Sequence, residues 1–131
     1  SDFYVKPNGD VIPSTGYRAL NESGAKYAKN GDIMSPSGTT YFSFDDMAGK
    51  SAEEIKSTMQ LFDVPVNYAE FNTLQIIDDI NIPNAYGNKL KNETFRTYEP
   101  LTNSYPEQGI GGATQVTTSS NIDNYDLKDI Q

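Results

Sequence analysis

The segment Thr39–Phe44 (TTYFSF) constrains the fold most strongly, because each of its residues is aromatic, β-branched or Ser. Aromatic and β-branched residues are enriched in β-strands. In a strand, Tyr41 and Ser43 lie on one face, and Phe42 and Phe44 lie on the other. The segment therefore predicts a strand with one face in the core and one polar face.

Further strands and turns are predicted on both sides of this segment. The turn Pro7-Asn8-Gly9-Asp10 lies between two short apolar runs, which is typical of a hairpin. The longest predicted strand is Phe71–Ile82, in which apolar residues alternate on one face and Asp78 interrupts the alternation. Strands are predicted at Phe3–Val5, Val11–Ile12, Gly16–Leu20, Phe71–Ile82, Phe95–Tyr98 and Ala113–Thr118.

Two short helices are predicted between the strands. The first, Asn21–Asn30, begins with a capping residue and is followed by Gly31, a residue favoured after a helix end. The second begins at the capping box of Ser51 and Glu54 and reaches about Phe62. Because strands outnumber helices and loops are frequent, the sequence predicts an antiparallel-leaning α+β domain. In the polar tail, the apolar residues that can dock against the core are Ile122, Leu127 and Ile130.

The chain contains neither Cys nor His, which excludes whole classes of catalytic site. Disulfides, thiol nucleophiles, Ser-His-Asp triads and nearly all zinc sites require one of these residues. A site built only from carboxylates remains open at Asp45–Asp46 or Asp78–Asp79, although paired acids are more often simply solvated. We therefore predict a function without a bound metal.

The charge of the chain limits the classes of molecule that it is expected to bind, and its length limits the number of domains. A net charge of −8, from 10 basic and 18 acidic residues, repels phosphate groups, which disfavours nucleic acids and anionic membranes and favours a basic protein partner. No stretch approaches the roughly 18 apolar residues of a membrane-spanning helix. The 131 residues suit one domain, residues 1–131, and the opening Ser1 favours a fragment of a longer polypeptide.

Three places carry groups that could bind or react. Arg18 follows Tyr17 in a predicted strand, where a guanidinium needs a partner, either a carboxylate or the diphosphate of a ligand. Ser43 belongs either to an ordinary core strand or to the floor of a cleft, beside an aromatic ring that stacks on a heterocycle. The loop Glu107–Gln115 is either a plain bulged turn or a loop whose adjacent Gly111 and Gly112 permit close approach of a ligand.

Four segments together resemble a known family: GYRAL, GTTYFSFDD, FNTLQIIDDINIP and EPLTNSYPEQGIGGATQ. In this order they are similar to the C-terminal toxin domains of bacterial Rhs and related polymorphic toxins, which have the ADP-ribosyltransferase fold. The toxins that modify elongation factor Tu are the most similar. The resemblance implies an α+β domain in which a split mixed or antiparallel sheet surrounds an NAD cleft, with a few short helices.

The same resemblance implies roles for individual residues. Arg18 would hold the diphosphate or ribose of NAD, and Ser43 would support the catalytic acid. Many family members carry a Glu-x-Glu or Gln-x-Glu triplet at the catalytic position, but neither triplet occurs here. Several residues therefore come into question as the catalytic group: Glu107 is the first choice, followed by Gln115 and Glu99. The aromatic residues that would line the nicotinamide pocket are Tyr17, Tyr41, Phe42 and Phe44.

The implied activity is mono-ADP-ribosyl transfer from NAD to a protein such as elongation factor Tu, which would block translation. Such a domain is delivered into the cytoplasm of a target bacterium, and a cognate immunity protein protects the producer. Three alternatives remain open. The segment Gly111–Gln115 (GGATQ) also resembles the Gly-Gly-x-x-Gln segment of NAD glycohydrolase toxins, the acidic Tyr- and Asn-rich composition suits a non-enzymatic binding module, and the paired acids suit a metal-dependent hydrolase.

Overall fold

The computed structural model describes residues 2–7, 9, 11–81 and 106–130. Over these residues the chain forms short strands, two α-helices and two 3-10 helices. The 3-10 helices are Thr73–Asp79 and Pro106–Gln108. The α-helices are α1, Glu22–Lys29, and α2, Ala52–Met59. The strands are β1 Phe3–Val5, β2 Val11–Pro13, β3 Thr15–Leu20, β4 Thr40–Phe42, β5 Asn67–Asn72, β6 Ile80–Asn81, β7 Val116–Thr118 and β8 Asp126–Asp129.

All pairs among the described strands are antiparallel. The strands β1 and β2 form a hairpin, as predicted, and the other six form two three-stranded sheets. One sheet has the order β3-β5-β8, and the other has the order β4-β7-β6. The predicted α+β class, with antiparallel sheets and few helices, is therefore confirmed for the described part of the chain.

The core lies on both faces of the β3-β5-β8 sheet, because neighbouring residues of β5 point to opposite faces. Phe71 points into the larger cluster, where Phe42 meets it edge-on with 5.2 Å between ring centroids. Tyr68 points into the smaller cluster, which also contains Tyr17 and the buried residue Ile55 of α2. The central sheet is thus covered on both sides, and α2 covers the side that carries Tyr17.

The starts of both helices agree with the sequence, but the end of α2 does not. The side chains of Asn21 and Ser51 accept hydrogen bonds from backbone N–H groups of the first turns, as predicted. The predicted extension of α2 to Phe62 is wrong. The helix ends at Met59 because Gln60 adopts a left-handed conformation with φ of 52°. Phe62 is consequently turned towards solvent rather than buried beside Ile55.

The long strand predicted at Phe71–Ile82 is also wrong. The strand β5 ends at Asn72, whose side chain accepts a 2.8 Å hydrogen bond from the N–H of Leu74 and so begins a 3-10 helix. A local side-chain bond of this kind competes with the strand ladder. Leu74 is 55% exposed and Ile76 is 1% exposed, so the apparent alternation does not correspond to two faces of a strand.

The tail after Ser119 docks on the core, as predicted, and also contributes a strand that the sequence did not predict. Ile122 is buried, and Leu127 and Ile130 are half-buried. Residues of β8 pair with β5 from Asn67–Asp129 to Glu70–Asp126. The predicted strand Phe95–Tyr98 and the candidate acid Glu99 lie outside the described residues. Among the helices of the described residues, none is both long and apolar enough to cross a membrane.

Candidate functional site

The two three-stranded sheets meet at one residue pair, Tyr17 and Ser43. Each residue donates its N–H to the carbonyl of the other, and both N···O distances are 2.8 Å. Antiparallel pairing would next place Ala19 opposite Tyr41, but the bridge is isolated. Instead, Nη1 of Arg18 donates to the carbonyl oxygen of Tyr41 at 2.5 Å. The strands β3 and β4 therefore diverge beyond the bridge, and the Arg18 guanidinium spans the gap.

Arg18 is half-buried, and burial lowers the pKa of its guanidinium. Arginine nevertheless stays charged at neutral pH, because its ordinary pKa lies above 12. The residue lines a pocket of about 200 Å³ together with Leu61, Phe62 and Asp63. Pockets that enclose a drug-sized ligand measure roughly 300–1,000 Å³. This pocket could hold one part of a dinucleotide, but not all of it.

Ser43 lies at the centre of a buried hydrogen-bond network. Its hydroxyl lies 3.0 Å from the hydroxyl of Thr114 and accepts the N–H of Asp45 at 3.0 Å. Thr114 Oγ1 also accepts the N–H of Phe44 at 2.9 Å and donates to Oδ1 of Asp45 at 3.0 Å. A threonine hydroxyl has one proton. Because that proton goes to Asp45, Ser43 must donate its own proton to Thr114.

This network changes the interpretation of Ser43. Its side chain is 0% exposed, and its hydroxyl both donates and accepts a hydrogen bond within the protein. Ser43 therefore holds the neighbouring segments of the site together, and its side chain is not accessible to a ligand in this conformation. Thr114 received no role from the sequence, and Asp45 was considered only as a candidate metal ligand, whereas in the structure Asp45 accepts the Thr114 hydroxyl. The only sequence signal for Thr114 was its position within the selected Gly-rich segment Gly111–Gln115, and this signal is weak.

The loop that precedes β7 is attached to the C-terminal end of α2. Nε2 of Gln60 donates to the carbonyl of Gly109 at 3.0 Å, and the N–H groups of Ile110 and Gly111 donate to Oγ and the carbonyl of Ser57 at 3.2 and 3.0 Å. A Cβ atom at residue 109 would lie 2.3 Å from the Ser57 carbonyl oxygen. Glycine is therefore required at residue 109 for close approach of two backbones, which was not anticipated from the sequence, where Gly111 and Gly112 were selected.

Gln115 lies at the other end of this loop, next to the Ser43 network. The register of β4 and β7 pairs Phe42 with Val116. The residue before Gln115, Thr114, has its hydroxyl 3.0 Å from that of Ser43, so the backbone of Gln115 lies beside the end of β4. Glu107 is exposed in the 3-10 helix at the start of the loop, beside the attachment to α2. Of the two candidate catalytic residues in the described chain, Gln115 is the one that the fold brings to the bridge between the sheets.

The four candidate aromatic residues lie in different environments. Tyr41 is exposed and Phe44 is half-buried. Phe42 is 1% exposed and packs edge-on against Phe44, with 5.7 Å between ring centroids, so it has no free ring face for a heterocycle. Tyr17 is buried in the smaller core cluster. Of these four residues, Tyr41 is therefore the most exposed, and its backbone carbonyl accepts the hydrogen bond from Arg18.

Tyr17 also has a phenol whose pKa is raised well above its ordinary value. Burial and, to a smaller extent, the nearby carboxylates of Asp46 and Glu70 together raise the pKa of its phenol to about 12. A hydrogen bond to Asp46 contributes in the same direction. The phenol consequently stays neutral across the physiological pH range, which suits a packing residue rather than a general base.

The paired acids were one candidate for a carboxylate-only metal site, and the structure describes residues 2–7, 9, 11–81 and 106–130 around them. No group of three or more His, Cys, Asp or Glu side chains in these ranges is arranged to hold a metal ion. Asp45 accepts the Thr114 hydroxyl, Asp46 accepts the N–H of Ala48, and Asp79 accepts the hydroxyl of Ser120. Each of these carboxylates thus has a role in local structure.

No protein-family model, curated protein or solved structure matches this chain. The candidate site is therefore defined by geometry alone, as the place where β3, β4 and the loop before β7 converge.

A larger pocket, of about 370 Å³, lies between β5 and the segment before β8. Glu70 and Asp126 both line it, and their negative charges would repel a diphosphate. The region around Arg18 is accordingly the better candidate for an anionic ligand.

Proposed function

We propose that this chain cleaves the bond between nicotinamide and ribose in NAD and transfers ADP-ribose to a protein. One observation carries the proposal: the Tyr17–Ser43 bridge brings the strand with Arg18, the strand with Ser43 and the segment with Gln115 to one place. These segments are far apart in the sequence. Two antiparallel sheets that diverge beyond a single bridge also support an ADP-ribosyltransferase-like split sheet.

In this proposal Arg18 binds the diphosphate. Its guanidinium carries up to five N–H donors, and one of them is held by the Tyr41 carbonyl. The remaining donors can meet two phosphate oxygens in the bidentate geometry that arginine favours. The exposed ring of Tyr41 provides a face on which nicotinamide or adenine can stack.

The reaction needs little more than positioning and charge stabilisation. The C1′–N bond breaks, and its electron pair moves to the nicotinamide nitrogen, which becomes neutral. Positive charge develops on the ribose as in other glycosyl transfers. The acceptor then forms a bond to C1′ and loses a proton to solvent. Because nicotinamide leaves without prior protonation, a site without His is sufficient. Glu107 stabilises the developing charge or orients the acceptor in this proposal.

A second candidate function is hydrolysis of NAD, and the position of Gln115 favours it. Gln115 directly follows Thr114, whose hydroxyl lies 3.0 Å from that of Ser43, whereas Glu107 lies at the far end of the loop. An amide oxygen beside C1′ can hold a ribose hydroxyl or a water molecule. Water would then be the acceptor, and free ADP-ribose would be the product.

The biological context that we propose is an antibacterial toxin domain acting in the cytoplasm of a target bacterium. Elongation factor Tu is the first acceptor to test. A cognate immunity protein would protect the producing cell. The resemblance of the GYRAL, TTYFSF and GGATQ segments supports this context.

The test uses NAD labelled in its adenosine phosphate, incubated with the purified chain with and without bacterial lysate. Free nicotinamide and label on macromolecules are both measured. Label on a protein supports transfer, and nicotinamide release without retained label supports hydrolysis. Arg18→Met should abolish either activity, whereas Lys26→Met, which removes an exposed positive charge on α1, should not. Unchanged NAD in both incubations would reject both functions.

A further inference from the structure

A short apolar ridge lies on the surface between α2 and β5. It consists of Phe62, Val64 and Val66, every second residue of the connecting segment, which are 63%, 46% and 43% exposed. Single exposed apolar side chains are normal on proteins, whereas clustered ones mark interaction sites, and here three fall within five consecutive residues. The Pro65 side chain between them is buried, so the segment presents its large apolar side chains outward.

The ridge is held in place by hydrogen bonds to two neighbouring segments, the junction of β3 and α1 and the end of the tail. The N–H of Val66 donates to the Leu20 carbonyl at 2.8 Å, and the Val66 carbonyl accepts the N–H of Ile130 at 3.2 Å. Nδ2 of Asn21 donates to Asp63 at 3.1 Å. Because its backbone is fixed at several points, the ridge would lose little conformational entropy when a partner binds.

The ridge borders the pocket that contains Arg18. Phe62 lines this pocket together with Leu20 and Leu61, and the pocket measures about 200 Å³. An apolar side chain from a partner could enter it against these three residues. Arg18 leaves the apolar side of the pocket available, since its guanidinium is turned onto the Tyr41 carbonyl.

The negative charges near the ridge favour a different, basic protein over a second copy of the chain as the partner. Asp63 lies within the ridge, and Glu22 follows the Asn21 side chain that binds it. Asp129 is next to Ile130, whose N–H binds Val66. With a net charge of −8 on each chain, two copies would repel each other. A positively charged partner would be attracted to the same surface.

We propose that the ridge Phe62–Val66 is a docking surface for a segment of another protein that presents apolar side chains flanked by Lys or Arg. One apolar side chain of that segment fills the pocket beside Phe62, and its basic groups approach Asp63 and Asp129. This inference does not rest on the NAD reaction, but Arg18 lines the same pocket, so a docked segment and a diphosphate bound at Arg18 would compete for it.

The test begins with selection of binders from a displayed library of random 12-residue peptides against the whole chain. Enriched peptides are synthesised, and their dissociation constants are measured by fluorescence polarisation. We expect a net positive charge and at least one large apolar residue in these peptides. We also expect affinity to fall with rising salt concentration, because the charges remain partly exposed.

Variants then locate the binding site. Val64→Asp should weaken binding at least tenfold, and Asp63→Lys should weaken it several-fold. Leu74→Asp is the matched control, because Leu74 is also an exposed apolar residue but lies at the other end of β5. It should change affinity less than twofold. Urea unfolding checks that each variant is folded, and Val64→Ser replaces Val64→Asp if the acid destabilises the chain.

Several outcomes would overturn the inference. They are failure to enrich any peptide, enrichment of acidic or uncharged peptides, and equal binding by the wild type and the Val64 variants. A concentration-dependent dimer in sedimentation experiments that Val64→Asp abolishes would assign the ridge to a second copy of the chain instead.

Discussion

The hydroxyl groups of Ser43 and Thr114 lie 3.0 Å apart and join two segments separated by 71 residues. This bond fixes the loop before β7 to the end of β4. Thr114 binds three groups at once, namely Ser43, the N–H of Phe44 and the carboxylate of Asp45. The position of Gln115 therefore depends on the residue before it, and the first prediction concerns that residue.

Thr114→Val should destabilise the fold by about 3 kcal/mol, because it leaves buried polar groups of Ser43, Phe44 and Asp45 without their partner. Thr114→Ser keeps the hydroxyl and should lose about 1 kcal/mol at most, from the missing methyl group. The free energy of unfolding in urea measures both effects. Equal destabilisation by the two substitutions would show that packing, and not the hydroxyl, matters at this position.

Gly109→Ala should destabilise the chain by about 2 kcal/mol or detach the loop from α2, because its Cβ would lie 2.3 Å from the Ser57 carbonyl oxygen. Gly38→Ala provides a comparison. Gly38 has a positive φ of 79° and nothing within 4 Å of the added Cβ, so only backbone strain of about 1 kcal/mol is expected. Urea unfolding and amide hydrogen exchange of Ile110 and Gly111 measure the difference. Unchanged exchange in Gly109→Ala would contradict the proposed steric requirement.

The stability of the wild type should fall as the pH rises above 10, and Tyr17→Phe should reduce this dependence. The folded chain keeps the Tyr17 proton up to a pKa of about 12, whereas the unfolded chain releases it near 10. Below pH 10 the stabilisation is complete, and between pH 10 and 12 it is lost. Two pKa units set a ceiling of about 2.7 kcal/mol on this loss. The free energy of unfolding in urea, measured between pH 8 and 11, gives this loss. If it falls equally with pH in the wild type and in Tyr17→Phe, the raised pKa does not belong to Tyr17.

Substitutions at Gln115 and Glu107 should separate bond cleavage from transfer. Under the proposed NAD chemistry, Gln115→Ala should lower kcat for nicotinamide release about 100-fold, because a preorganised polar group near the reacting carbon is lost. Glu107→Gln should abolish label transfer to protein while nicotinamide release continues. Glu53→Gln, at an exposed acid of α2, is the control. If Glu107→Gln stops nicotinamide release and Gln115→Ala does not, Glu107 is the catalytic group.

Much of the local structure was predictable because it depends on neighbouring residues. Asn21 and Ser51 cap α1 and α2 through hydrogen bonds that span three residues, so the sequence alone locates these helix starts. The hairpin of β1 and β2 follows equally from its turn residues. The α+β class could be inferred from the number and length of such elements.

Predictions failed where distant contacts outweighed the local pattern. Thr73 donates a 2.7 Å hydrogen bond to the carbonyl of Pro13, and this contact helps to turn the chain out of β5 where alternation favoured a longer strand. The strand β8 consists largely of polar residues and forms because β5 offers it an open edge. Neither of these two distant contacts is encoded within a window of a few residues, although the bond from the N–H of Leu74 to Asn72, which also ends β5, is local.

The sequence by itself determined that this is an acidic α+β chain without Cys or His, and it identified Arg18, Ser43 and the Gly-rich loop as places to examine. Only the tertiary structure decided which of them meet. It turned Phe42 into the core, satisfied the Ser43 hydroxyl with Thr114 and the N–H of Asp45, and placed the backbone of Gln115, directly after Thr114, nearer to the bridge than Glu107. The physical reason is that residue type and periodicity report local preference, whereas burial and hydrogen-bond partners depend on which distant strands pair.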